Sequence, residues 1–95
     1  MKNEITWKLE AAKVTEVKEA ESKFKKTYWA ITVEIATDHG ERELEIRVFE
    51  GSLFDRVRTV APGCMIEATG FIQPNKNAEP NKPVFINATY IKVVG

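Results

Sequence analysis

The sequence has little of what metal centres, exported proteins and most enzymes are built from. Cys64 is the only cysteine and His39 the only histidine, so there is neither an internal disulfide nor a zinc constellation of sulfur and nitrogen ligands. No metal, redox role or cofactor is expected. No run approaches the roughly 20 consecutive apolar residues of a membrane-spanning helix. The amino terminus, MKNEITWKLE, is charged and polar where a secretory signal has an apolar stretch. A soluble, cytoplasmic protein with no membrane partner is the expectation. A surplus of one charge sign is also missing, because 14 basic side chains balance 14 acidic ones, so any polyanionic partner has to be met by local patches. There is no phosphate-cradling glycine run and no nucleophile with an acid–base partner, so enzymatic activity is not expected. With 95 residues, 43% of them hydrophobic, the chain fits a single domain spanning 1–95.

What the chain does have is alternation. In YWAITVEIAT, residues 28–37, Trp29, Ile31, Val33 and Ile35 recur at period two, the mark of a half-buried strand. After the turn cluster Asp38-His39-Gly40, Leu44, Ile46 and Val48 alternate again, predicting a hairpin with Ile31 opposite Val48, Val33 opposite Ile46 and Ile35 opposite Leu44. The period then changes. Leu53, Val57 and Val60 follow helical spacing behind Ser52, which is placed to cap a short helix with Asp55 at the capping-box position. Pro62 and Gly63 stop it, and Ile66, Ala68, Gly70 and Ile72 mark a fourth strand. Residues 73–83, QPNKNAEPNKP, read as a long mobile loop before a last strand, VFINATYIKVV. At the front, Ile5, Trp7, Leu9 and Ala11 alternate, and Val14 and Val17 continue the pattern after a bulge, giving a long bent first strand.

Three strands, a short helix and two strands is the order of an all-β, five-stranded OB-fold barrel with one helix between strands 3 and 4. Ala11, Ala12, Gly51 and Gly70 sit where the coiled sheet needs sharp bends. An SH3-like barrel lacks such a helix at this place, and a ferredoxin-like fold needs two.

The run from Phe49 to Ile72 resembles the bacterial and phage single-stranded DNA-binding proteins. Phe49 ends the third strand, Gly51 follows, and a short helix from Ser52 leads to a turn at Gly63. The fourth strand then runs Ile66, Ala68, Gly70, Ile72. The resemblance extends more loosely over nearly the whole chain and implies non-catalytic binding of single-stranded DNA, a role in DNA replication, and a homo-oligomer. Two departures accompany it. The chain ends at Val93-Val94-Gly95 without the glycine-rich linker and acidic tip by which cellular members recruit partners, and it is shorter and less basic than typical members. Both suggest a phage, plasmid or accessory relative.

A non-specific single-strand binder needs cations that follow phosphates and rings that stack on bases. Phe49 has outward parity on strand 3 beside Arg47, across from Thr32, and Tyr28 opens strand 2 on the same face. The loop before it interleaves Lys23, Lys25 and Lys26 with Phe24, and the loop between strands 4 and 5 adds Lys76 and Lys82. Phe71, outward on strand 4, extends the track or belongs to a subunit interface. Each feature also has a plainer reading: Phe49 covered by the helix or by a second subunit, the lysines a solvated hairpin tip. Trp7 and Trp29 read as core, and Cys64 as a small buried hydrophobe. The strand is DNA or RNA. The alternative function is an OB-fold protein–protein interaction or assembly module, since outward Phe49 and Phe71 suit a partner as well as a base.

Overall fold

The computed structural model describes residues 5–21, 25–49, 51–79 and 82–95, and within 74–79 and 82–85 the backbone alone. Five strands and a short helical segment follow in order: β1 (Ile5–Glu21), β2 (Thr27–Thr37), β3 (Gly40–Val48), a 3-10 turn (Gly51–Leu53) running into α1 (Phe54–Val57), β4 (Met65–Glu79) and β5 (Lys82–Val93). The strands close into a barrel in the order β1-β2-β3-β5-β4, which is the OB-fold.

Closure depends on β1 serving two neighbours. Its first half pairs with β4 and its second with β2, and Lys13 is where it changes partner, opposite both Met65 and Glu34. Bulges between Leu9 and Ala12 and between Val14 and Glu16 bend it through this corner. The turn after α1 is stitched between them: the Gly63 amide donates to the Val14 carbonyl and the Val14 amide to the Cys64 carbonyl, both at 2.8 Å. On the far side β3 and β5 meet in parallel at Arg47 and Asn87.

The inward positions read from the alternation fill the barrel. Val14, Ile31, Val33, Ile46, Val48, Val57, Ile66 and Ile91 are fully buried, and each is worth about 1.5–3 kcal/mol relative to exposure. Leu53, Val57 and Val60 close one end, and this packing holds a helical segment far too short to persist alone. At Gly70 β4 and β5 come close together, because a Cβ there would lie 1.8 Å from the Asn87 carbonyl oxygen.

Several expectations need correction. The hairpin register is offset by two residues: Trp29 faces Val48, Ile31 faces Ile46, Val33 faces Leu44 and Ile35 faces Arg42. The parity, and so the core face, is unchanged. The cause is the position of the turn, which is centred on Asp38 and His39 with Thr37 paired to Gly40, one residue earlier than a turn on His39 and Gly40. The Thr37 hydroxyl donates to the Gly40 carbonyl at 2.7 Å and accepts from the His39 amide at 3.2 Å, and Gly40 takes φ +98°, the left-handed position that suits glycine after a type I turn. Ser52 does not cap the helix; it lies inside the 3-10 turn, and the N-cap is Leu53, with no side-chain bond. Residues 73–79 and 82–83 are strand rather than loop. β4 runs on to Glu79 and β5 begins at Lys82, the pair that ends their ladder, with an irregularity after Pro74. Prolines fit such a ribbon because each of its strands needs only one hydrogen-bonded edge. Ile5, placed inward by alternation, is 59% exposed at the mouth of the barrel, and Cys64 is only half-buried.

Candidate functional site

Register ties the outer face together. One row of facing residues runs from Thr6 on β1 to Phe71 on β4, Asn87 on β5, Arg47 on β3 and Ala30 on β2, and returns to β1 at Lys18. Arg47 and Phe71 from the expected set therefore share a row, with Tyr28 and Phe49 beside it at the base of the β2–β3 hairpin.

There the rings meet. Phe49 lies against Tyr28 with centroids 4.8 Å apart and planes tilted by 30°, and the Arg47 guanidinium carbon stands 4.8 Å from the Tyr28 ring centre. This is an offset stack plus a cation–π contact. Tyr28 shares the face but not the exposure: it is only 8% exposed, so the half-buried Phe49 and Arg47 present the accessible surface and Tyr28 supports them. The Arg47 Nε also lies 3.8 Å from Glu45 Oε1. Lys25 and Lys26 are exposed just ahead of β2, within three residues of Tyr28, and Lys25 adopts φ +58°. Thr32 is half-buried between Glu16 of β1 and Glu45 of β3, away from the cations. Phe71 is 39% exposed, and its carbonyl accepts from Trp7 Nε1 at 3.2 Å. Lys23 and Phe24 lie outside the described residues, as do the side chains of Lys76 and Lys82.

Three residues that belong to this surface escaped the reading of the sequence. Asn87 is 7% exposed in the middle of the row; its Nδ2 donates to Gln73 Oε1 at 2.8 Å, while its buried Oδ1 has no partner among the described residues. Tyr90 on β5 carries the Arg56 guanidinium 5.5 Å from its ring centre, and Arg56 Nη1 donates to the Ile91 carbonyl at 3.5 Å. The sequence signal for Tyr90 was ambiguous, since a bulge at Thr69/Gly70 changes the parity of β5. Arg56 needed the packing of α1 to be known.

The acidic side chains gather elsewhere. Glu34 faces Glu43 near the hairpin tip, and Glu41 follows two residues along. A hydrogen bond to Glu34 and the charge of Glu34 raise the Glu41 carboxyl above the ordinary glutamate range; desolvation adds to the rise and Lys13 opposes it.

No protein-family model matches the sequence, and no curated protein matches it. Solved structures do. The mitochondrial single-stranded DNA-binding protein Rim1 of S. cerevisiae superposes with a TM-score of 0.77 at 11% identity over 98% of this chain and 96% of that one. A second crystal form of Rim1 gives 0.77 at 12% over 97% of each. The single-stranded DNA-binding protein of Plasmodium falciparum, solved in complex with single-stranded DNA, gives 0.72 at 11% over 100% of this chain and 98% of that one. The chain has their fold. The likeness covers nearly the whole length of both partners. At these identities it is a likeness of backbone, and the chemistry of the face rests on the residues described above.

Proposed function

We propose that this chain is a non-catalytic single-stranded DNA-binding protein that uses the base of the β2–β3 hairpin as its platform. The observation that carries the reading is the Phe49–Tyr28 stack with Arg47 over the same ring, set beside Lys25 and Lys26. A base stacks on the exposed part of Phe49 while Arg47 and the two lysines meet the flanking phosphates. The face between strands 2 and 3 is the one OB-folds use for oligonucleotides, and the Plasmodium protein with this fold was solved with single-stranded DNA.

Titration of labelled oligo-dT, oligo-rU and duplex DNA at low and moderate salt tests this. Stacking is worth about 1–3 kcal/mol per base, so Phe49→Ala is expected to weaken oligo-dT binding about 5- to 150-fold. A Lys23/Lys25/Lys26 triple alanine variant is expected to bind more weakly and with a shallower salt dependence. Tighter binding of oligo-rU than oligo-dT reassigns the strand to RNA. Unchanged binding in both variants sinks the platform.

A second reading has its own support. Ile5 and Phe71, on adjacent strands, are exposed at 59% and 39% and suit self-association or a protein partner. If no nucleic acid binds and Phe71→Ser dissociates an oligomer seen by light scattering, the assembly module is the better account.

A further inference from the structure

We infer that the barrel carries a second strand-binding subsite, a groove between β1, β4 and β5 that holds the sugar–phosphate backbone of the single strand after it leaves the Phe49 platform. This rests on the proposed single-strand binding and adds a path to it.

The groove has a volume of about 420 Å³ and is lined by Thr6, Trp7, Lys8, Thr69, Gly70 and Thr89. Its lining offers three hydroxyls and one cation and no carboxylate, the donor set that suits phosphodiester oxygens. A bulge opens it. Thr69 pairs with Tyr90 and Gly70 with Ala88, which leaves Thr89 as the extra residue, exposed, with its hydroxyl only loosely held by the Thr69 carbonyl at 3.4 Å. On its β5 side the groove adjoins Tyr90, whose ring carries the Arg56 guanidinium at 5.5 Å. The pairing of ring and cation found at Tyr28 and Arg47 thus recurs across the barrel.

Register and charge set the direction of the path. From Arg47 the facing row leads through Asn87 and Phe71 to Thr6 at the groove, three strand spacings or about 14 Å along the outside of the barrel. In the other direction, along the hairpin, a strand would meet Glu45, Glu43, Glu41 and Glu34. A polyanion is repelled there and is accepted along the row. Glu67, the nearest carboxylate on β4, stands opposite Lys92.

The experiment compares two lengths of fluorescein-labelled oligo-dT on the full chain, about 4 and about 16 nucleotides, the limits of site size for one OB-fold. The variants are Lys8→Gln/Arg56→Gln and, independently, Thr89→Glu, which places an anion in the groove; all three positions are exposed, and circular dichroism checks their folding. Expected are 5- to 20-fold weaker binding of the long strand, an unchanged short strand, and a salt slope for the long strand reduced by about 1.4 in the double variant, at 0.7 per lost phosphate contact. If both lengths weaken equally, or if neither variant affects the long strand, the second subsite is overturned. Phe49→Ala separates this from the parent reading: a platform that fails leaves both lengths unaffected by that change, and a wild type that binds neither length overturns both proposals.

Discussion

Gly70→Ala probes a close approach of β4 and β5 in the barrel. An ideal Cβ at Gly70 lies 1.8 Å from the Asn87 carbonyl oxygen, 2.8 Å from its carbonyl carbon and 2.8 Å from Trp7 Cζ2, so the methyl is roughly 1.5 Å short of an ordinary contact. Two of those three atoms are backbone of the paired strand, which no rotamer change removes, and the third belongs to an indole whose Nε1 is bonded to the Phe71 carbonyl. Overpacking of this kind costs about 1–3 kcal/mol where side chains can yield, and here the upper end, about 3 kcal/mol, is expected. For a domain of this size each kcal/mol lowers Tm by about 4–8 °C, so a drop of about 12–24 °C should appear in thermal unfolding followed by circular dichroism, with Trp7 fluorescence reporting the β1–β4 seam. Gly51→Ala is the control, because nothing lies within 4 Å of a Cβ there, and it should stay within about 0.5 kcal/mol of wild type. If Gly70→Ala unfolds at the same temperature as Gly51→Ala, the close approach of β4 and β5 is wrong.

Three further outcomes follow from the charges and the backbone. Because Glu41 is held above the ordinary glutamate range by Glu34, its protonated form is favoured in the fold. That stabilisation is complete below the ordinary value and is lost as pH rises through the raised one. Chemical denaturation from pH 3.5 to 8 should therefore find Glu34→Gln at least as stable as wild type at neutral pH, with the difference closing or reversing on acidification; a constant difference across the range would speak against the pair. Lys25 sits at φ +58°, so Lys25→Gly should gain up to about 1 kcal/mol in stability from relief of the left-handed backbone while losing about 0.7 from the salt slope of oligo-dT binding. Neutralising Glu34, Glu41 and Glu43 together to glutamine should tighten oligo-dT binding at 10 mM salt and change it little at 150 mM, as read by fluorescence anisotropy.

Much of the barrel was legible because its signal is a period. Ile31, Val33, Ile46, Val48, Ile66 and Ala68 alternate inward in the sequence and are buried in the fold, and the break to helical spacing at Leu53 and Val57 marks where the end of the barrel is closed. What alternation does not encode is registration. The two-residue offset of the hairpin arises because Thr37 and Gly40 close the turn around Asp38 and His39, one residue earlier than a turn on His39 and Gly40, and parity is blind to an even shift. The β4–β5 ribbon was missed for a related reason. Proline and asparagine argue against a strand within a sheet, yet a two-stranded ribbon needs pairing on one side only. At the site, parity put Phe49, Arg47 and Phe71 outside, but it could not show that Tyr28 is covered by its neighbours, or that a bulge leaves Thr89 as an extra residue of β5. Those are facts about contacts between strands, and a single strand's pattern carries none of them.

The 14 basic and 14 acidic side chains balance exactly, but the fold spreads the signs unevenly along the β2–β3 hairpin, with Glu45 beside Arg47 as the exception. Arg47, with Lys25 and Lys26 close by, marks the base of the β2–β3 hairpin, and Glu34, Glu41 and Glu43 lie toward its tip. Arg47 and Glu41 are six residues apart on one strand, a separation of about 20 Å at 3.3 Å per residue. At physiological ionic strength the screening length is about 8 Å, so a phosphate beside Arg47 is more than two screening lengths from Glu41 and about one and a half from Glu43, four residues or about 13 Å away, and it feels the tip far less than it feels Glu45 and the cations beside it. Near 0.01 M salt the screening length grows to about 30 Å, and the same phosphate then feels both ends. Net charge therefore bears on this face chiefly in dilute salt, and at higher salt the local field is set by the nearest charges, Arg47 and its neighbour Glu45.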